Sequence, residues 1–323
     1  MTRTFVASLF LAATVFTSAM PAAAQERFED GDRYAFTQDY EPSPALWRLA
    51  DEDTTIYLLG TIHVLPRGFR WRSDRLDDII DEVDMLVVET SDFHRPDDAI
   101  DAGGKLAARI ARRTPTSQQL SAPSRQKWDD LIRLTGSDYD VIDNMPVLLA
   151  LLTMGTWGTP DSPSSAAFGV ESVLEREFIR SNRPIRSLED AGEVMYSLFR
   201  LDTPELLAEL DTMLAGWDGK SPGAFYNNPN EHSIGDAYWT DEHNWARGIV
   251  ADEFSLGFGD GPIGRAFDRN LLDRRNTHWA EWLDNRLEEP GTILVAVGSG
   301  HFEGDVSVLV KLQERGLVPE RID

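Results

Sequence analysis

The sequence predicts an α/β fold with a mixed or mostly parallel central sheet, surrounding helices and a helical middle region. Three observations predict it. Short β-branched runs at 54–59, 85–88 and 292–297 are separated by longer stretches of helical apolar spacing. Each run stops at a glycine or an acid: Leu59 at Gly60, Val88 at Glu89, Val297 at Gly298. Between residues 99 and 214 helical patterns dominate. No composition shift marks a boundary, so residues 25–323 are expected to form a single domain.

The elements follow in order. Residues 26–40 are polar and charged and read as a lead-in. Residues 45–49 and 54–59 read as a β-hairpin turning through 50–53. Ser73 can cap a helix to residue 83, with Leu76, Ile79, Ile80 and Val83 on one face. Residues 85–88 form a buried strand. Helices are expected over 99–112, 124–134 and 147–154, the last with Pro146 at its first turn. A Gly/Pro/Ser-rich loop covers 155–165. A helix over 169–179 leads to a short strand at 184–188, which ends in Glu189 and Asp190. Helices resume over 191–214. Loops are expected at 216–237 and 257–264, with one long helix from 263 to 287. Then come the strand at 292–297, a helix over 306–315 and a tail at 318–322.

Composition bounds the function. The chain has 323 residues, 41% of them hydrophobic, so a sizeable core can form. Arg3, an apolar run over 5–16 and Ala22-Ala23-Ala24 form the pattern of a secretory signal peptide over residues 1–24. Export to a periplasmic or extracellular setting is the expectation, with no transmembrane segment in the mature chain. No cysteine follows the apolar run, so no lipid attachment site is expected there. Removing residues 1–24 takes away Arg3 and no acid, so the formal charge of −24 becomes −25. A chain this acidic lacks the basic footprint that nucleic acid requires. With no cysteine anywhere, thiolate metal sites and a cysteine nucleophile are excluded. Any metal must be held by His, Asp, Glu or Asn.

Strands of open α/β sheets place ligands beyond their carboxyl ends. If the three apolar strands are parallel neighbours, His63, Glu89 and His301 converge. Both histidines close a Gly-x-x-His unit, Gly60 to His63 and Gly298 to His301. Two imidazoles and a carboxylate suit a divalent ion with open positions. The bland alternatives are capping or core histidines, and a salt bridge from Glu89 to an arginine such as Arg275. Glu189 ends another strand, as an outer acid, a fourth ligand or a helix N-terminal carboxylate. Arg275 and Asn276 lie in the long helix, either on a solvated face or turned toward the site. Ser299 with His63 as base is a minor option, since no Gly-x-Ser-x-Gly elbow surrounds it. No His-Glu-x-x-His helix occurs, and residues 257–264 match no phosphate loop. His301-Phe302-Glu303 has the His-x-Glu of zinc deaminases, without their cysteine ligands. His94, His232, His243 and His278 read as surface or packing residues.

These residues resemble the TraB/GumN family, which includes the Tiki metalloproteases. The resemblance rests on Leu58-Leu59-Gly60-Thr61-Ile62-His63, on Leu86-Val87-Val88-Glu89, on Arg275-Asn276 with Trp279-Ala280, and on Val297-Gly298-Ser299-Gly300-His301-Phe302-Glu303-Gly304. It runs from Leu46 to about Arg321. It implies a fold similar to erythromycin-esterase-like and ChaN-type proteins. It also implies a metal-dependent peptidase, using manganese or cobalt, that acts on a peptide or protein substrate. His63, Glu89 and His301 would hold the metal, with Glu89 a metal ligand or general base. Arg275 and Asn276 would stabilise an oxyanion or position substrate. The alternative is a non-catalytic accessory protein that binds metal, haem or polysaccharide. The family's Gly-Ile-Asp element stands here as Gly169-Val170-Glu171, so a strict role for that carboxylate is not carried over. Its Leu-Glu-Thr stands as Leu188-Glu189-Asp190.

Overall fold

Eight strands, β1 (Leu46–Ala50), β2 (Thr54–Thr61), β3 (Leu65–Pro66), β4 (Met85–Val88), β5 (Ser164–Ser165), β6 (Ile185–Ser187), β7 (Gly291–Gly298) and β8 (Glu320–Arg321), order the fold. They belong to a computed structural model that describes residues 33–323, apart from 95, 97–104, 106–107, 109–111, 157–162, 229, 231 and 255–256. The expected signal peptide and most of the helix expected over 99–112 lie outside the described residues, as does part of the loop at 155–165.

Six strands form one sheet in the order β6-β4-β7-β2-β1-β8. β6, β4, β7 and β2 are mutually parallel, so the sheet is α/β and mostly parallel. β1 returns antiparallel to β2 as the expected hairpin, with Ala50 opposite Thr55. The tail at 318–322 contributes β8, which pairs antiparallel with β1 and places Arg321 opposite Trp47. β3 and β5 form a separate two-residue ladder that carries too few residues to show a pattern in sequence.

The central strands bury both faces, which is why they read as unbroken apolar runs. Alternate residues point to opposite sides. Tyr57, Leu59, Leu86, Val88, Leu294 and Ala296 pack against Leu76, Ile79, Ile80, Leu174 and Phe178, from the helices Asp74–Glu82 and Val170–Arg180. Ile56, Leu58, Val87, Ile293, Val295 and Val297 pack against Trp279, Ala280, Leu283 and Leu312, from the helices Arg274–Arg286 and Val308–Glu314. Ser73 caps the first of these helices through the Leu76 amide, as its position implies. The helical middle builds a third core, where Trp128, Leu148, Leu151, Leu210, Leu214 and Phe267 come together.

Two expectations change. The helix expected over 263–287 is three pieces: Pro262–Phe267, a π-helical stretch Asp268–Asp273, and Arg274–Arg286. Apolar periodicity cannot register this i→i+5 widening, which delivers Arg275 and Asn276 at the start of the last piece. The loop expected at 216–237 holds a helix, Pro222–Phe225, begun by Ser221, whose hydroxyl accepts from the Ala224 amide.

Candidate functional site

β2 and β7 finish level with one another, and β4 stops two residues short of them. Thr61 pairs with Gly298, and Val88 pairs with Ala296. His63 follows β2 by two residues, Glu89 directly follows β4, and His301 lies in the 3-10 turn Ser299–Phe302 directly after β7. The three side chains therefore meet at the carboxyl edge of the parallel strands. Glu89 Oε1 is 4.0 Å from His63 Nε2 and 3.8 Å from His301 Nε2. His63 opens to solvent with its side chain 33% exposed, whereas Glu89 and His301 are buried.

Each of the three is oriented from behind. His63 Nδ1 lies 2.7 Å from Glu171 Oε1, and the Thr61 hydroxyl donates to the same oxygen. A carboxylate at Nδ1 places the ring's proton there and directs Nε2, with its lone pair when the ring is neutral, toward Glu89. Glu171 stands in the first turn of the Val170–Arg180 helix, where the helix dipole favours an anion. Asn276 does the corresponding work for His301. Its Nδ2 donates to the Val306 carbonyl at 2.8 Å, which turns its Oδ1 to His301 Nδ1 at 2.6 Å. His301 Nε2 is then left as an acceptor. The Trp279 ring lies 4.2 Å from the His301 ring, tilted by 39°.

Glu89 accepts at both oxygens, from the Gly298 amide at 2.7 Å and from Arg275 Nη2 at 2.5 Å. The salt bridge to Arg275 is thus present, and it is compatible with convergence of the two histidines. Arg275 reaches further. Its Nε donates to Glu189 Oε2 at 2.9 Å, its Nη1 lies 3.3 Å from His301 Nε2, and its guanidinium stands 4.8 Å over the Trp279 ring. Glu189 also accepts from Trp279 Nε1 at 2.9 Å. It does not cap the next helix; Asp190 does, accepting from the Glu193 amide. Asn276 is fully buried, so it touches His301 rather than a substrate.

The charges follow from these contacts. Burial alone would lower the His63 pKa, but Glu171 and then Glu89 outweigh it and lift it to about 9. Burial would raise Glu89, yet Arg275, His301, His63 and the Gly298 amide hold it well below the usual carboxylate range. Burial, against the pull of Glu89, takes His301 down to about 3, so this imidazole is neutral. Burial would also lower Arg275, and the paired Glu189 and Glu89 raise it instead. Burial leads for Glu189 too, and with the neighbouring Glu89 charge it pushes that acid up against the pull of Arg275.

Two glycines sit where a side chain would crowd the site. A Cβ at Gly169 would sit 1.9 Å from the His63 carbonyl oxygen, and the next amide, of Val170, donates to the Ile62 carbonyl. A Cβ at Gly298 would lie 3.0 Å from Glu89 Oε1 and 3.1 Å from His63 Nε2. Close approach, not an unusual backbone angle, explains the second: its φ is −49°.

Four participants had no firm place in the sequence: Glu171, Glu189, Thr61 and Trp279. Glu171 had one signal, its position in the Gly-Val-Glu element. Thr61 lies inside the first Gly-x-x-His unit, two residues before the histidine it supports. The remaining histidines stay apart from the three. His94 Nδ1 accepts from the Ser187 amide, and His243 is buried beside the Tyr40 hydroxyl. His278 and His232 are exposed.

The donor set suits a divalent ion in chemistry: two imidazole Nε2 atoms and a carboxylate oxygen, each ring fixed by a partner at Nδ1. Its spacing is slightly wide. Ligands ~2.1 Å from a common ion lie roughly 3.0–3.4 Å apart, so the 3.8 and 4.0 Å separations ask for a closure of about half an ångström. Among the described residues no group of three His, Asp or Glu side chains is already gathered at ligand distance. The set fits the ion after a small movement. No described helix is long and apolar enough to cross a membrane.

A sequence model of the TraB/PrgY/gumN family matches residues 45–321, nearly the whole chain. No curated protein and no solved structure matches.

Proposed function

From the premise that this chain belongs to the TraB/PrgY/gumN family, we propose that it is an exported, metal-dependent hydrolase whose substrates are peptides or proteins. The observation that carries the reading is the meeting of His63, Glu89 and His301 at the carboxyl edge of three parallel strands. His63 Nε2, Glu89 Oε1 and His301 Nε2 would hold the ion, manganese or cobalt by the family resemblance. When bound, such an ion supplies Lewis acidity that polarises a carbonyl and acidifies water.

The chain's own residues do the rest. Glu171 and Thr61 hold the Nδ1 proton of His63, so Nε2 is the nitrogen that becomes a donor once the ring gives up its second proton, and Asn276 leaves Nε2 of the neutral His301 as an acceptor. Arg275 and the Gly298 amide keep Glu89 ionised and immobile. Because both of its oxygens already accept hydrogen bonds, Glu89 is a poor general base, which supports the ligand role over the base role. The exposed edge of His63 is where a peptide carbonyl can approach. Arg275 and Asn276 act as positioning residues behind this edge. Hydrolysis adds water across the amide, giving a carboxylate and an amine.

The test is cleavage of a mixed peptide library by the purified protein, with and without Mn²⁺ or Co²⁺, read by mass spectrometry. New termini that require the metal and vanish in His301→Ala support the reading. Metal uptake by the wild type without any cleavage would instead make it a non-catalytic binding protein.

A further inference from the structure

Arg275 poses an electrostatic difficulty for any cation at this site. Its Nη2 lies 2.5 Å from one oxygen of Glu89, and its Nη1 is 3.3 Å from His301 Nε2. A full positive charge thus touches two of the three donors. Unbalanced, its charge would repel a divalent ion. Glu189 stands on the far side of the same guanidinium. Its Oε2 accepts from Arg275 Nε at 2.9 Å and its Oε1 from Trp279 Nε1 at 2.9 Å. Both partners are obligate donors, so the geometry is that of an ionised carboxylate. The residue reaches its place because β6 runs parallel to β4: the Glu189 amide donates to the Glu89 carbonyl at 2.9 Å, which brings the two strand-end acids side by side.

We propose that Glu189 is a positioning residue for the same site, whose charge balances Arg275 so that the guanidinium can hold Glu89 in place without excluding a divalent cation. The proposal rests on the metal-site reading and deepens it. Arg275 with Glu189 is a neutral clamp, and Glu89 keeps its own negative charge for the ion. Trp279 locks the far oxygen of Glu189 and also backs the His301 ring, so the clamp and the second ligand share one support.

The experiment is calorimetric titration of Mn²⁺ into the chelator-treated full chain. The wild type, Glu189→Gln, Glu189→Asp and the double variant Glu189→Gln/Arg275→Gln are compared. Glu189→Gln is expected to bind Mn²⁺ about tenfold or more weakly, since one unit charge near the ion is lost. The double variant, which removes both charges, is expected to recover most of that loss, a recovery that a packing defect would not give. Glu189→Asp keeps the charge and should stay within about threefold of the wild type. Equal affinity in the wild type and Glu189→Gln overturns this proposal and leaves the metal site standing. So does a double variant as weak as Glu189→Gln, or an Asp variant that fails as Gln does. A wild type that takes up no Mn²⁺ overturns both the proposal and the reading it rests on.

Discussion

Replacing Glu171 by glutamine tests how the site sets the charge of His63. In the wild type, Glu171 2.7 Å from Nδ1 and Glu89 4.0 Å from Nε2 lift the His63 pKa from the ordinary 6.5 to about 9. A folded-state pKa above the unfolded one means that the folded protein binds the proton more tightly. The resulting stabilisation is full below pH 6.5, fades between pH 6.5 and 9, and is gone above that. At face value the shift is worth about 3 kcal/mol. A side chain 33% exposed is partly screened by solvent, which brings this to about 1–2 kcal/mol. In Glu171→Gln the leading upward influence is lost and burial pulls the other way. Melting of the metal-free variant should therefore fall by roughly 3–6 °C at pH 6 relative to the wild type. The two curves should converge above pH 9. The His63 midpoint itself is read from ring proton shifts across pH 5–10, assigned with His63→Gln. A wild-type midpoint below 7, or an unchanged midpoint in Glu171→Gln, would show that Glu171 does not set the charge of His63.

Three further outcomes are expected. Gly169→Ala sets a methyl carbon against the His63 carbonyl and should cost on the order of 1–3 kcal/mol, with movement of the His63 ring visible in its shifts. Asn276→Leu leaves His301 Nδ1 and the Val306 carbonyl without their partner, at a cost of roughly 2–4 kcal/mol in chemical denaturation, and loosens the tautomer of His301. His243 contributes acid sensitivity: burial lowers its pKa below 6.5, with Asp236 pulling up and Arg247 down, so the folded state prefers the neutral ring. Its contribution is intact above pH 6.5 and is lost as the pH falls below that value, a loss that His243→Phe should flatten in pH-dependent melts.

The parts legible in sequence were those that a single strand or helix decides by itself. The runs ending at Gly60, Glu89 and Gly298 announce buried strands because both faces are covered and every position is apolar. Their parallel pairing then follows from the intervening helices, and with it the meeting of His63, Glu89 and His301. What stayed hidden depends on approach between distant segments. Nothing at Glu171 states that it will meet Nδ1 of a residue 108 positions earlier, and the extra methylene relative to aspartate made its role harder to assign. The choice of Arg275 between solvent and Glu89 depends on where the π-helical stretch Asp268–Asp273 delivers it, and hydrophobic periodicity carries no record of such a widening. Glu189 and Asp190 differ by one position in sequence. Only the structure separates the acid that holds Arg275 from the one that caps a helix.

His63, Glu89 and His301 are proposed to form one metal-binding site. Pulsed electron paramagnetic resonance of the Mn²⁺-loaded protein tests it most directly, because the ion reports the nitrogens bound to it. One ion per chain coupled to two imidazole nitrogens is expected, with one coupling lost in His63→Ala and the other in His301→Ala. A bound ion with no imidazole coupling, or couplings untouched by both substitutions, would contradict the shared site.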